Sequence, residues 1–304
     1  GWYLHLRSKI LCKYGSTMEL NRYFSVMILL CIMHSCSSNP FWDDLKTREI
    51  KIYGHISLDE QDRDAPVFIW ADIFNSYTKT DKDGLFSLPL DNSQTQTGNI
   101  NGPVQVYFYV HNYILDSATV FFTDGKFSSE QIEFSNDGML IKHINLRKLV
   151  SASSYFLFDQ QNQSPDINFN NVDSLKFILT LDIHRDTDIS IYNKVVSHHD
   201  YLPSGIPFNN ISDGFIYTYR LHNDQILTYG FSKGESIGFH FDIVCDSLQI
   251  QSGDYEVIPF LLVNQSTIPL GLLEALGGGS LFEIGISYLQ LPNDFNYDTL
   301  KILN

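Results

Sequence analysis

The stretch "TKTDKDGLFSLPL", residues 78–90, decides the fold class of this chain. Asp83-Gly84 is a dipeptide that β-hairpin turns prefer, because glycine adopts the positive φ that such a turn requires. Beyond it, Phe86 and Leu88 lie two residues apart, so both side chains point to the same face of an extended strand. The stretch therefore predicts a hairpin whose second strand buries Phe86 and Leu88.

Strand patterns continue on both sides of this turn. Residues 50–58 alternate between apolar and other side chains, which is typical of a half-buried strand. The runs "APVFIWADIF" (65–74) and "PVQVYFYV" (103–110) are more densely apolar and of strand length. Strands at this spacing, without helical periodicity, favour an all-β sandwich or barrel. The apolar positions of the first strand are Ile50, Ile52, Ile56 and Leu58.

Residues 50 to about 127 resemble the carboxypeptidase regulatory-like family, a transthyretin-like β-sandwich. The resemblance rests on Gly54 in the first strand and on the turn, where the family has Thr-Asp-x-Asp/Asn-Gly-x-Phe-x-Leu. "HNYILDSATV" (111–120) is similar to the family's Gly-Tyr strand, with Asn112 in place of the glycine. The resemblance implies a sandwich over residues 49–138 and a structural role for the motif. Its matching positions are Thr80, Asp81, Asp83, Gly84, Phe86 and Leu88.

The composition is that of a folded, acidic protein. Of the 304 residues, 43% are apolar and 14% are aromatic, which is ample for a packed core. The net charge is −15, but residues 1–35 carry four basic residues against one acidic residue, which leaves −18 for the remainder. Such a surface repels phosphate backbones and anionic lipid headgroups. We therefore expect no nucleic-acid partner.

The N-terminal part carries the pattern of an export signal. An apolar run over residues 23–33 follows Arg22 and leads to Ser35-Cys36. As a helix the run spans about 16 Å, too short for a hydrocarbon core about 30 Å thick, so a signal peptide is favoured. The stretch resembles a bacterial lipoprotein signal, in which a small residue precedes the cysteine that is lipidated and becomes the mature N-terminus.

This resemblance implies a division of the N-terminal residues. Residues 1–17 would lie upstream of a start at Met18, residues 18–35 would be the signal peptide cleaved after Ser35, and residues 36–48 would be a tether behind lipidated Cys36. Ser37 would permit transit to an outer membrane. Ordinary secretory cleavage and an uncleaved anchor stay open as alternatives.

A second β-unit is predicted over residues 172–304, after a polar linker or long loop over residues 139–171. A helix is predicted at "PLGLLEAL" (269–276) and a last strand at "LFEIGISYLQL" (281–291). The stretches "LKFILTLDI", "DGFIYTYRL", "FSKGESIGFHFDI" and "SGDYEVIPFLLV" include a Gly-Glu-Ser turn before a strand and a Gly-x-Tyr-x-Val strand. In these features the part resembles the intracellular proteinase inhibitor family, an immunoglobulin-like sandwich, in fold only. In "SLKFILTLDIH" one face of a strand is predicted to bury Leu175, Phe177, Leu179, Leu181 and Ile183.

The pentapeptide "GESIG" (234–238) has the Gly-x-Ser-x-Gly form of a hydrolase nucleophile. That motif needs a helix after the serine, whereas residues 237–245 alternate as a strand does. Ser236 and His240 would then be about 13 Å apart along the strand, too far for a serine and its base, and Asp242 lies farther still. We therefore interpret the motif as a turn into a strand.

Metal sites are not expected. Adjacent His198 and His199 point to opposite faces of a strand, and a loop is the simpler interpretation. "DKDG" resembles the start of a calcium loop, but the twelfth position is Asn92 where an acidic residue is needed. Cys245 is interpreted as a buried core thiol. The acidic loop that contains Asp59, Glu60, Asp62 and Asp64 is interpreted as solvated.

Strand aromatics are the remaining binding candidates. Aromatic side chains opposite the core can stack on sugars or anchor a protein partner. A neighbouring domain can instead bury them, and this alternative stays open. The candidates are Tyr53, Trp70, Tyr107 and Tyr109.

These patterns together predict a non-catalytic, lipid-anchored protein of the cell envelope that acts as a binding or structural accessory. No cofactor, metal or catalytic residue is expected, and the partner would be an envelope protein or polysaccharide. A proteinase inhibitor, acting through residues 172–304, and an envelope hydrolase are the alternatives.

Overall fold

The computed structural model describes residues 50–61, 64–90, 100–157, 166–168, 174–194, 206–211, 216–219, 224–244 and 251–303. Over these residues the chain is all-β with short helices near its C-terminal end, which confirms the predicted fold class. No helix in the described ranges is both long and apolar enough to cross a membrane.

The first part of the chain folds as two sheets with a hydrophobic core between them. Its strands are β1 (Ile50–Leu58), β2 (Phe68–Ala71), β3 (Ser76–Lys79), β4 (Leu85–Leu90), β5 (Gly102–Tyr109), β6 (Asp116–Thr123), β7 (Lys126–Phe127) and β8 (Ile144–Leu146). One sheet has the order β4-β1-β8 and the other the order β3-β2-β5-β6-β7. The core that they enclose includes Ile52, Phe86, Leu88, Ile69, Val106, Phe108 and Val120.

The turn at Asp81–Gly84 is formed as predicted, but it does not close a hairpin. β3 and β4 belong to different sheets, so the turn carries the chain from one layer of the sandwich to the other. The Asp81 carboxylate accepts hydrogen bonds from the backbone N–H groups of Asp83 and Leu85, at 3.0 and 2.8 Å. Gly84 has φ +74°, and a Cβ there would lie 2.3 Å from the backbone oxygen of Ile56. Only glycine therefore fits this crossing without strain.

The second part of the chain contains three further sheets. Their orders are β16-β11-β9, β15-β12-β18 and β10-β19-β17-β13-β14, in a numbering that continues along the chain. The strands are β9 (Val150–Leu157), β10 (Asp166–Asn168), β11 (Ser174–Ile183), β12 (Thr187–Lys194), β13 (Ile206–Asn210), β14 (Ile216–Tyr219), β15 (Asp224–Phe231), β16 (Ser236–Val244), β17 (Gly253–Val257), β18 (Leu261–Asn264) and β19 (Thr299–Leu303).

A second hydrophobic core fills this part, and it extends onto the first sandwich. The face of β11 that the sequence predicts to be inward is buried throughout. Phe68, Trp70 and Tyr109 belong to this second core, whereas Ile69 and Phe108 on the same strands belong to the first. Because successive side chains of a strand point to opposite faces, the sheet that contains β2 and β5 is buried on both sides. The dense apolar runs at 65–74 and 103–110 follow from this double burial.

A polar cluster lies where the two cores meet. Lys148 Nζ is 2.8 Å from Asp294 Oδ2, and both side chains are almost fully buried. Tyr113 donates its hydroxyl to the same carboxylate oxygen at 2.6 Å, and the Asn112 amide donates to the other one. The Asp294 carboxylate therefore joins three segments that are far apart in sequence.

Two sequence predictions on the elements are wrong. Within residues 139–171, predicted to be a linker or long loop, β8 pairs with β1 and β9 pairs with β11. The alternation of polar and apolar residues in β8 and β9 covers too few positions to indicate strands within a stretch that is polar as a whole. The predicted domain bounds themselves stay a prediction.

The other error lies at "LFEIGISYLQL". These residues form the end of a 3-10 helix (Gly278–Phe282) and the helix α2 (Ile286–Leu289) instead of a strand. The predicted helix before them is present as α1 (Leu270–Leu276). Gly277 and Gly278, which follow α1, take positive φ values of 135° and 59°, and Tyr288 of α2 is buried in the second core. The strand that pairs near the C-terminal end of the described residues is instead β19, which lies between β17 and β10.

Candidate functional site

The "GESIG" serine stands where the sequence analysis places it, at the start of a strand. Gly234 has φ +89° and forms the turn, and Ser236 begins β16. Phe239 and Phe241 are buried, while Ser236 and His240 are exposed. No helix follows Ser236, so the backbone geometry of a hydrolase nucleophile is missing from this described strand.

A different serine meets a histidine on the same sheet. Ser151, an outward-facing residue of β9, has its Oγ 3.0 Å from Nε2 of His184. The carbonyl oxygen of Leu149 accepts hydrogen bonds from the N–H groups of His184 and Arg185, at 2.9 and 3.3 Å. These bonds hold the end of β11 against the start of β9. The imidazole therefore lies beside Ser151.

A carboxylate lies on the far side of the same imidazole. Glu60 follows the end of β1, and its Oε2 is 3.2 Å from Nδ1 of His184. A carboxylate at Nδ1 favours the tautomer whose proton is on Nδ1, which leaves Nε2 free to accept the Ser151 hydroxyl proton. Glu60 has φ +50°, a conformation that is uncommon for a residue other than glycine, asparagine or aspartate. The chain thus holds this carboxylate in position at a conformational cost.

Glu60 and His184 line a cleft of 300 Å³. Ser151 contacts it through its hydrogen bond to His184, and we call it the Ser151 cleft. Arg185 and Lys233 line it together with Glu60 and His184. The Nε atom of Arg185 is buried, and no described residue accepts a hydrogen bond from it. Asp59 and Lys148 line the cleft as well, and Lys148 is paired with Asp294. The Arg185 Nε–H group is thus the buried donor at this cleft that a negatively charged ligand could accept from.

Chemically, the arrangement corresponds to nucleophile, general base and orienting carboxylate. A serine is activated when a base within hydrogen-bond distance accepts its proton and a third group orients that base. The Ser151–His184 contact is a hydrogen bond, and the Glu60–His184 contact lies within ion-pair distance. Glu60 is 63% exposed and His184 32% exposed, so this is an open surface site and not an enclosed one.

Sequence reasoning missed these residues because no local motif connects them. Ser151, His184 and Glu60 come from three elements separated by 33 or more positions, and the pairing of β9 with β11 brings two of them together. Ser151 lies in the stretch that was predicted to be a linker. Glu60 was interpreted as part of a solvated acidic loop. The sequence signal that could have found the site is the alternation of residues 150–157, which form β9.

Two of the four candidate binding aromatics are buried, so the prediction that they lie on the surface is wrong for them. Trp70 is 4% exposed and Tyr109 is 3% exposed, both within the second core. Trp70 also donates its indole N–H to Asn75 at 3.0 Å. The open alternative, burial by the neighbouring part of the chain, is the correct one for this pair.

The other two aromatics stay partly accessible. Tyr107 packs on the Trp70 ring at 5.6 Å between centroids, and burial raises the pKa of its hydroxyl. Tyr53 donates its hydroxyl to Asp137 at 2.8 Å. That hydrogen bond raises the pKa of Tyr53. Neither residue lines the Ser151 cleft.

A buried histidine connects β5 to β18. His111 Nδ1 is 2.9 Å from the Tyr109 hydroxyl, and the Val263 N–H donates to His111 Nε2 at 3.0 Å. Burial lowers the pKa of His111 to about 4 and raises that of Tyr109. The ring is therefore neutral at physiological pH and belongs to the core, not to a site.

A larger cleft of 580 Å³ lies beside the turn that crosses between the sheets; we call it the turn cleft. Thr80 of the turn motif is buried and accepts the Val67 N–H at 2.9 Å, which is a structural role. Asp64 and Asp83 line the cleft. No group of three or more metal-ligating side chains is found within the described ranges.

Several predicted residues lie outside the described residues. They are Ser35, Cys36, Asp62, Asn92, His198, His199 and Cys245.

No family model matches this chain, and no curated protein matches it. Among solved structures, the Bacillus anthracis TIE protein is 8% identical with a TM-score of 0.21, covering 71% of this chain and 31% of that one. BcpA, the major pilin subunit of Bacillus cereus, is 8% identical with a TM-score of 0.22, covering 71% of this chain and 67% of the pilin. This chain thus spans about a third of the TIE protein.

Proposed function

We propose that the chain is a lipid-anchored protein of the bacterial cell envelope that acts as a structural or binding accessory. The anchor would be Cys36, at the outer membrane, with residues 36–48 as the tether. The N-terminal sequence pattern supports this part of the proposal.

The observation that carries the accessory role is the sheet shared by two hydrophobic cores. Trp70 and Ile69 are neighbours on β2 and are buried in different cores. Close packing on both faces leaves such a sheet little room to bend. The Lys148–Asp294 pair adds a further connection between the parts. A stiff body on a polar tether suits a protein that holds a partner at a set distance from a membrane.

The turn cleft supports a binding role. Its volume of 580 Å³ falls in the range of ligand-binding clefts, about 300–1,000 Å³. Its lining combines apolar and acidic side chains with the basic Lys82 and with polar groups, which are His55, Ser57, Gln61 and Thr80. The partner would be an envelope protein or polysaccharide.

The anchor is tested by expressing the full chain and its Cys36→Ala variant in a bacterium with an outer membrane. We expect Cys36→Ala to lose acyl labelling and to leave the membrane fraction, because a single cysteine carries the acyl chains. Cys245→Ala is the matched control and should stay labelled and membrane-bound. Equal membrane binding and labelling of the Cys36→Ala variant would contradict the proposal.

A further inference from the structure

We propose that the Ser151 cleft is a serine-hydrolase site that cleaves esters bearing a negative charge. In this assignment Ser151 is the nucleophile, His184 is the general base, and Glu60 is a positioning residue. The inference goes beyond the accessory role, and either can fail without the other. The sequence predicts no enzymatic activity, and the experiment below distinguishes that prediction from this proposal.

The two distances on His184 carry the proposal. Ser151 Oγ is 3.0 Å from Nε2, and Glu60 Oε2 is 3.2 Å from Nδ1. The serine therefore has an acceptor for its proton on one side of the ring, and the resulting imidazolium has a carboxylate on the other.

The reaction proceeds in two balanced steps. Ser151 Oγ attacks the ester carbonyl carbon as its proton passes to Nε2 of His184; the carbon–oxygen bond to the leaving alcohol then breaks, and Nε2 returns the proton to that alcohol. Water next attacks the acyl-serine. His184 accepts the water proton and gives it back to Ser151 Oγ as the acid leaves.

The charges at the cleft select the substrate. Backbone N–H groups nearby are already used: those of His184 and Arg185 donate to Leu149, and that of Gly234 donates to Ile183. A developing oxyanion would therefore be met by the cationic side chains of Arg185 and Lys233, which line the cleft. Those cations also attract a carboxylate or phosphate elsewhere on the substrate. Electrostatic attraction of this kind acts on binding more than on the chemical step.

The pairing register supplies a matched control serine. Asp182 of β11 lies opposite Ser151 on β9 and opposite Ser236 on β16. Both serines thus stand in one row of the same sheet. No hydrogen bond or ion pair within the described ranges connects His184 to Ser236, whereas His184 bonds Ser151.

The test uses the purified full chain with para-nitrophenyl esters of succinate, which keep one free carboxylate, and of acetate, which is neutral. We expect the charged ester to be hydrolysed with the lower KM. Ser151→Ala and His184→Ala should each lower kcat by about 100-fold or more, as loss of a general base does. Ser236→Ala should leave both constants unchanged. Arg185→Gln with Lys233→Gln should lower kcat for both esters, because the oxyanion loses its cations, and should raise KM for the charged ester only.

A covalent readout separates catalysis from folding. A fluorophosphonate probe should label Ser151, as shown by mass spectrometry of the peptides, and the label should be lost in His184→Asn. Glu60→Gln should lower kcat and leave KM in place, because glutamine can hold the ring but cannot stabilise the imidazolium. Each variant should keep the circular dichroism of the parent. Absence of labelling, labelling of another serine, or equal turnover by folded Ser151→Ala would overturn the proposal.

Discussion

At the scale of the residue, His111 makes stability depend on pH. The folded protein holds its pKa at about 4 because the ring is buried, whereas an unfolded histidine titrates near 6.5. Between these values the unfolded state binds more protons, so the free energy of unfolding falls as pH falls. We expect a loss of as much as about 3 kcal/mol from pH 7 to pH 4 from this group alone.

The measurement is urea unfolding followed by circular dichroism across that pH window. His111→Gln should be less stable at pH 7, because it perturbs the contacts to Tyr109 and Val263. Its stability should nevertheless fall less steeply below pH 6.5. A slope in His111→Gln as steep as in the parent would show that other groups dominate.

At the scale of the element, helix α1 depends on a glycine. A Cβ on Gly271 would lie 2.8 Å from two ring atoms of Trp70, and that ring is buried. Alanine gains about 1 kcal/mol of helix propensity over glycine, but overpacking a core costs about 1–3 kcal/mol. We therefore expect Gly271→Ala to lower the free energy of unfolding, with the clash outweighing the propensity.

A double-mutant cycle checks the cause. In a Trp70→Leu background the same Gly271→Ala change should become neutral or stabilising, since the ring atoms are gone. Gly279→Ala has no atom within 4 Å of its added Cβ and serves as the control. If Gly271→Ala is equally destabilising in both backgrounds, contact with Trp70 is not the reason.

At the scale of the whole molecule, the buried pair Lys148–Asp294 should contribute strongly to the free energy of unfolding. Removing one partner of a buried ion pair costs about 3–5 kcal/mol, so Lys148→Met should strongly lower the midpoint of urea unfolding. Lys142→Met removes partly exposed ion pairs with Asp116 and Glu133 and should cost about 1 kcal/mol or less. Similar shifts in the two variants would contradict the structural role of the buried pair.

Prediction from sequence succeeded where one face of a strand is buried and failed where the context is non-local. The alternation in β11 and β16 and the glycine turn at Gly84 were predictable, because local sequence reports them. Burial of Trp70 was not, since it depends on a second core that covers β2 from the other side. The meeting of Ser151 with His184 depends on strand pairing, which no spacing of residues along the chain encodes. For the same reason the local motif at Ser236 was visible and proved to be a turn.

The burial of β2 and β5 on both faces limits where the protein can be truncated. A fragment that ends at residue 138 would keep Phe68, Trp70 and Tyr109 but lose the strands and the helix α1 that cover them. Exposed aromatic patches of this kind favour aggregation. A fragment made for crystallisation should therefore retain the C-terminal half, even when the turn cleft is the target of study.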